Sequence, residues 1–206
     1  MIVDKIGIER EFFLINKHGI PVEPNLFGFP FDEFGFLVEV RTFPHCNPKD
    51  LIADYELRVK SHSKQAKVFG LKLNQTPRMA LGMDFINNLR EKYSHSHLQD
   101  LTCNIYDGVN KSHATGLIAG PCGYIGTAGT HIHFSRYHEG RRVQLPIFNM
   151  VKNLDEAFED EIRVTQRIAG EFEIKNHGFE YRSLSNIMKI EDITRIAFKI
   201  LYGVQK

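Results

Sequence analysis

Four short stretches of the chain carry ionisable side chains at alternate positions. They are Gly7-Ile8-Glu9-Arg10-Glu11-Phe12-Phe13, Val38-Glu39-Val40-Arg41-Thr42, Thr130-His131-Ile132-His133-Phe134-Ser135 and Phe179-Glu180-Tyr181-Arg182-Ser183-Leu184. Side chains alternate between the faces of a strand, so one face of each stretch presents carboxylate, imidazole or guanidinium and the other is mainly apolar. Carboxylates gathered on one such face repel one another unless something neutralises them, and bound divalent cations do so effectively. The pattern reads as a metal-dependent enzyme.

Each motif alone also has a plainer reading. Glu9 and Glu11 lie roughly 6 to 7 Å apart along one strand face, suited to one or two oxygen-ligated cations. An isolated E-x-E is, however, more commonly a solvated face. His131 and His133 are candidate ligands for manganese, zinc or iron, or ordinary half-buried histidines. Glu39-x-Arg41 and Glu180-x-Arg182 pair a carboxylate with a guanidinium that could grip phosphate or carboxylate oxygens, or could be cross-strand ion pairs. Taken together, cation-binding carboxylates and imidazole beside anion-binding guanidinium suit phosphoryl transfer. There is no Walker loop, so a nucleotide would be held through metals and arginines.

These motifs need elements to carry them. Residues 5–15 read as a strand that ends in a turn at Asn16-Lys17-His18-Gly19, and Asp32-Glu33-Phe34-Gly35 turns the chain into a second strand over about 36–43. Asn47 caps a helix with Pro48 in its first turn, running to about Phe69 on a stripe of Leu51, Ile52, Tyr55 and Val59. Between residues 71 and 115 the signals are weaker: Leu71 to Thr76 could be a strand, and Met83 to Tyr93 has helical spacing. Gly120, Gly123 and Gly126 suit backbone passing close to a ligand. The histidine strand follows and turns at Glu139-Gly140. A long helix is expected over 144–169 with Gly170 as its stop, then a strand at 178–184 and a last helix near 190–203. Polar-faced strands alternating with amphipathic helices imply an α+β fold, with a largely antiparallel sheet covered by helices on its apolar side.

Composition narrows the partners. With 206 residues, one domain over 1–206 is expected. The 26 basic and 25 acidic side chains leave a net charge of +1, which offers no field to draw the molecule to nucleic acid or membrane. Small-molecule or peptide substrates are the expectation. Cys46, Cys103 and Cys122 lack C-x-x-C spacing, and with no apolar leader or span the reading is of a soluble protein in a reducing cytoplasm.

At the four motifs, in this order along the chain, the sequence resembles the glutamine synthetase superfamily of carboxylate-amine ligases. The stretch Glu39-Val40-Arg41-Thr42-Phe43-Pro44-His45 and the short length look most like the phage amide-forming members. The resemblance implies a curved, half-barrel antiparallel sheet with the active site on its concave face and helices outside. It further implies that Glu9, Glu11, Glu39, His131 and Glu180 hold two or three Mg2+ or Mn2+ ions bridged by ATP phosphates. Arg182 and Arg41 would hold the transferring phosphoryl group, and His133 would serve as a ligand or bind substrate. A substrate carboxylate would attack the γ-phosphate of ATP, and an amine would displace phosphate from the acyl phosphate to leave an amide. A homo-oligomer, and host cytoplasm if phage-encoded, are family expectations. Further metal ligands and adenine-pocket residues of the large synthetases have no recognisable counterpart. Arg141, Arg142, Arg163 and Arg167 are candidate nucleotide contacts or helix-surface charges. Two other readings are an inactive relative with a binding or structural role, and a cupin-like single-metal protein using His131, His133 and Glu139.

Overall fold

The structure, a computed structural model, describes residues 2–32, 35–93, 102–105, 110–113, 117–120 and 123–203. Glu33 and Phe34 of the expected turn, and Gly116 and Cys122 near the glycine-rich stretch, lie outside the described residues. In chain order the elements are β1 (Ile2–Ile15), β2 (Leu37–Arg41), α1 (Pro48–Val68), β3 (Lys72–Asn74), β4 (Arg78–Leu81), α2 (Met83–Tyr93), β5 (Thr102–Ile105) and β6 (Asn110–His113). They continue with β7 (Leu117–Gly120), β8 (Gly123–Thr127), β9 (Gly129–His138), β10 (Arg141–Arg142), α3 (Ile147–Ala157), α4 (Glu159–Thr165), β11 (Glu171–Lys175), β12 (Gly178–Ser185) and α5 (Ile190–Gly203). The larger sheet runs β2, β1, β9, β12, β11, β5, β6, with β3 added on β1 and β10 on β9, while β4, β8 and β7 form a smaller one. Among the described residues every pairing is antiparallel, and with five α-helices and a short 3-10 helix at Pro24–Phe27 the fold is α+β as expected.

Alternation sorts the larger sheet into two faces. Ile6, Ile8, Phe12, Val38, Val40, Ile132, Phe134, Phe172, Phe179 and Tyr181 are buried together with residues of α1, α3 and α5. Each large apolar side chain so buried contributes roughly 1.5 to 3 kcal/mol, which fixes strand register against a one-residue slip. The helix-facing side is not wholly apolar. Arg10 is buried there, donating to Thr130 Oγ1, the Tyr55 hydroxyl and the Met188 carbonyl, and Arg136 makes a two-pronged pair with Asp4. Phe13 points to the opposite face, where it joins Phe36, Leu37, Leu81, Ile86, Leu89 and Ala128 in a second apolar cluster. The charged stretch of that face thus ends against an apolar wall.

Helix α1 begins as its sequence predicts. Asn47 Oδ1 accepts from the Asp50 amide at 2.9 Å, and Pro48 occupies the first turn. The single helix expected over 144–169 is instead two. Pro146 delays its start to Ile147, Phe158 leaves helical geometry to bury its ring, and Gln166 ends α4 in the left-handed region. Glu159, Asp160 and Glu161 then fall in the first turn of α4, where the helix dipole favours acids. The sequence reading also passed over β11, although Phe172 and Ile174 alternate with charged residues between Gly170 and the turn at Asn176-His177. That strand proves central to the site.

Gly178, where β12 begins, has φ +156°, and a Cβ there would lie 1.9 Å from the Phe134 carbonyl oxygen. Gly178→Ala is expected to cost about 3 kcal/mol or more in chemical denaturation, whereas Gly82→Ala, facing open space, stays within about 0.5 kcal/mol. Equal midpoints for the two variants would contradict this packing.

Candidate metal centre

Strand register brings the charged positions together before any side-chain detail is considered. Glu9 faces Arg41 on β2 and His131 on β9, Glu11 faces Glu39, and His133 lies between Gly7 and Glu180. Glu180 in turn faces Glu173 on β11. Between Tyr181 and Leu184 β12 carries one more residue than β9, so the ladder is interrupted there. This bulge keeps Arg182 on the charged face and lets Ser183 turn aside, where its hydroxyl accepts from the Glu171 amide.

The side chains form one continuous network. His131 Nδ1 lies 3.1 Å from Glu9 Oε1 and 3.0 Å from Glu180 Oε1, and its Nε2 lies 3.8 Å from Glu11 Oε1. His133 Nε2 is 3.7 Å from Glu9 Oε2. Glu11 Oε2 accepts from the Gly129 amide, where the glycine-rich stretch meets β9. Arg41 Nε pairs with Glu9 Oε2 at 2.5 Å and its Nη2 pairs with Glu39. Arg182 Nη1 sits 3.0 Å from Glu180 Oε1 and 3.1 Å from Glu173 Oε2. All of these predicted site residues come together. Glu9, Glu11, Glu39, His131 and Glu180 are buried, whereas the Arg41 side chain is 61% exposed at the rim.

Crowding shifts the protonation of several groups. Burial pushes the Glu39 carboxyl up, the neighbouring Glu9 charge adds to this, and Arg41 offsets only part of it, leaving Glu39 at about 9. Burial and Arg182 act to lower His131, but Glu11, Glu180 and Glu9 outweigh them and hold its imidazolium up to about 10. Burial opposes ionisation of Glu9 and Glu180 as well. Their bonds to histidine prevail and hold both well below the usual carboxylate range. The cleft formed here has a volume of about 500 Å3 and is lined by five carboxylates, those of Glu9, Glu11, Asp32, Glu39 and Glu180. Three permanent cations, Arg41, Lys175 and Arg182, line it too. With Glu173, which pairs with Lys175 and Arg182, the carboxylates outnumber these cations by three, a deficit of positive charge that favours a proton on Glu39 and on His131.

A divalent cation would offset part of the same deficit. In two triads, Glu9 with Glu11 and His131, and Glu9 with His133 and Glu180, one donor atom from each residue lies within 4.8 Å of the others. Ligands about 2.1 Å from one ion are at most about 4.2 Å apart, so small side-chain rotations suffice. Carboxylate oxygens with imidazole and no thiolate suit a divalent ion such as manganese, magnesium, zinc or iron. Glu39 belongs to neither triad and reaches the cluster through Glu11 and Arg41. Glu139, at the exposed turn after β9 and near His138, is not gathered with the histidine pair.

Arg141 and Arg142 lie on β10 rather than on a helix, and Arg163 pairs with Asp160 at the surface. Arg167 donates to the Arg182 carbonyl behind the site. The sequence reading missed Lys175, His177, Tyr137 and Asp32, which line the cleft. The alternation of β11 could have revealed Lys175; His177 carried no comparable signal. Among the described residues no helix is long and apolar enough to cross a membrane. No family model matches the chain, and no curated protein matches it.

Because Glu39 and His131 keep protons that an unfolded chain releases, the cation-free protein should lose stability as pH rises. The windows run from 4.5 to about 9 for Glu39 and from 6.5 to about 10 for His131. Glu9 and Glu180, depressed below the usual range, stay ionised throughout and contribute no slope there. Manganese should reverse the trend by expelling about two protons per ion. Melting curves from about pH 5 to 9 in chelator and in manganese check this, with Glu39→Gln flattening the chelator curve. Parallel, pH-independent curves would contradict it.

Proposed function

We propose that the chain is an ATP-dependent carboxylate-amine ligase of the glutamine synthetase type, joining a small-molecule or peptide carboxylate to an amine through an acyl phosphate. The observation that carries the reading is a cage of carboxylates and imidazole sharing one cleft with Arg41, Lys175 and Arg182. On this reading the larger sheet is the curved half barrel of that superfamily, with the cleft on its concave face. The four motifs lie on adjacent strands, which supports it.

A free carboxylate is a poor electrophile, and ATP with Mg2+ or Mn2+ supplies both the phosphoryl group that activates it and the charge that stabilises the transfer. Glu9, Glu11, His131 and Glu180 would hold the cations, with His133 completing the outer triad and Glu39 answering charge beside Arg41. Arg41 and Arg182 flank the triads from β2 and β12 and would offer guanidinium groups to the negative charge that builds during the transfer.

Phosphate release is measured with ATP, manganese and a panel of carboxylates, using hydroxylamine as a general amine. The expected result is hydroxamate formed in step with phosphate for one class of carboxylate, reduced by about 100-fold in Glu9→Gln. Binding of manganese and ATP with no turnover for any pair would contradict the ligase.

A further inference from the structure

Lys175 is the permanent cation of the cleft that neither the four motifs nor the proposed reaction employs. Its Nζ lies 2.8 Å from Glu173 Oε2 and 3.2 Å from Glu180 Oε2. Arg182 spans the same two carboxylates from the other side, so two acids facing each other across β11 and β12 are bridged by two bases. Glu180 therefore serves His131, Arg182 and Lys175 at once with only two oxygens. A divalent cation drawn to Glu180 competes with Lys175 and Arg182 for those oxygens, and its charge repels both groups.

Glu173 is what keeps the bases in place when that happens. It lies beyond both triads, is half-exposed, and holds each base by its own contact. With Glu180 committed to a cation, the ammonium and guanidinium remain beside the ion, each short of one anionic partner. The segment carrying Lys175 is braced from outside, since Arg142 Nη1 on β10 donates to the carbonyls of Lys175 and Asn176 at 3.1 and 2.9 Å. The next residue, His177, lines the same end of the cleft and lies 3.3 Å from His133.

We propose that Lys175 and the β11–β12 hairpin form a polyphosphate-gripping edge that a divalent cation switches on by taking Glu180 away from Lys175. The side chain thus substitutes for the metal at Glu180 until the ion arrives and then becomes an anion ligand, so cation and polyphosphate bind with positive coupling. Arg142 acts as a positioning residue for that edge. The proposal rests on the ligase reading for the identity of the anion as a nucleoside triphosphate. The grip itself requires only a chain of phosphates.

Calorimetric titration of the full chain with Mn2+, and then with a non-hydrolysable ATP analogue or inorganic tripolyphosphate, tests it. Wild type should bind both anions at least about tenfold more tightly with Mn2+ than in chelator. Lys175→Met should weaken both anions by about tenfold while binding Mn2+ alone more tightly than wild type, because a competitor for Glu180 is gone. Lys175→Arg should restore most of the anion affinity. Arg142→Ala should weaken the anions without tightening Mn2+. If Lys175→Met binds both anions as wild type does, or binds Mn2+ more weakly, the proposal fails while the ligase reading stands. If wild type takes Mn2+ and tripolyphosphate but not the ATP analogue, the ligase reading fails and the grip survives; binding of neither anion defeats both.

Discussion

Mutual repulsion among Glu9, Glu11, Glu39 and Glu180 is the constraint on which the arrangement of this molecule turns. None of the four can withdraw, because each stands on a strand whose opposite face is locked into the helix-covered core. Ile8 and Phe12 flank the first pair, Val38 and Val40 flank Glu39, and Phe179 and Tyr181 flank Glu180. The hydrophobic effect thus holds carboxylates at separations that water would not permit, and the surrounding groups must supply positive charge. His131, at the centre, touches three of the four acids.

The charge comes from two kinds of source, and the difference between them explains how such a site could work. Arg41, Lys175 and Arg182 bring permanent cations on side chains rooted at the rim. The crowding also raises the proton affinity of Glu39 and His131, and protons, unlike the rooted side chains, can be displaced by a bound cation. A divalent ion carries the charge of both protons in one particle and accepts several oxygens at once, so it can replace them without disturbing the balance. Any further cation would leave the cleft positive and favour an anion beside it.

Much of this was legible in the sequence because period-two alternation is a strong signal and each motif carries it. Glu9-x-Glu11, Glu39-x-Arg41, His131-x-His133 and Glu180-x-Arg182 announced both their strands and the faces they share. Asn47 before Pro48 fixed the start of α1 equally well. What could not be read was partnering. The pairing of β11 with β12, which sets Glu173 opposite Glu180 and Lys175 beside them, is a long-range fact with no local trace. Phe158 looked like one more apolar residue in a helical stripe, and only tertiary packing shows that burying its ring ends one helix and begins another. Arg10 stands between two acids of the charged face. Its position on the even-numbered face instead sends it to Tyr55 and Thr130.

Anomalous diffraction from crystals grown with manganese shows whether the cleft takes a cation. The expected result is a manganese peak between Glu9, His133 and Glu180, within about 2.2 Å of at least two carboxylate oxygens, with Lys175 turned away from Glu180. A cleft that holds no manganese at millimolar concentration, with Arg41 and Lys175 still seated on their acids, would contradict it.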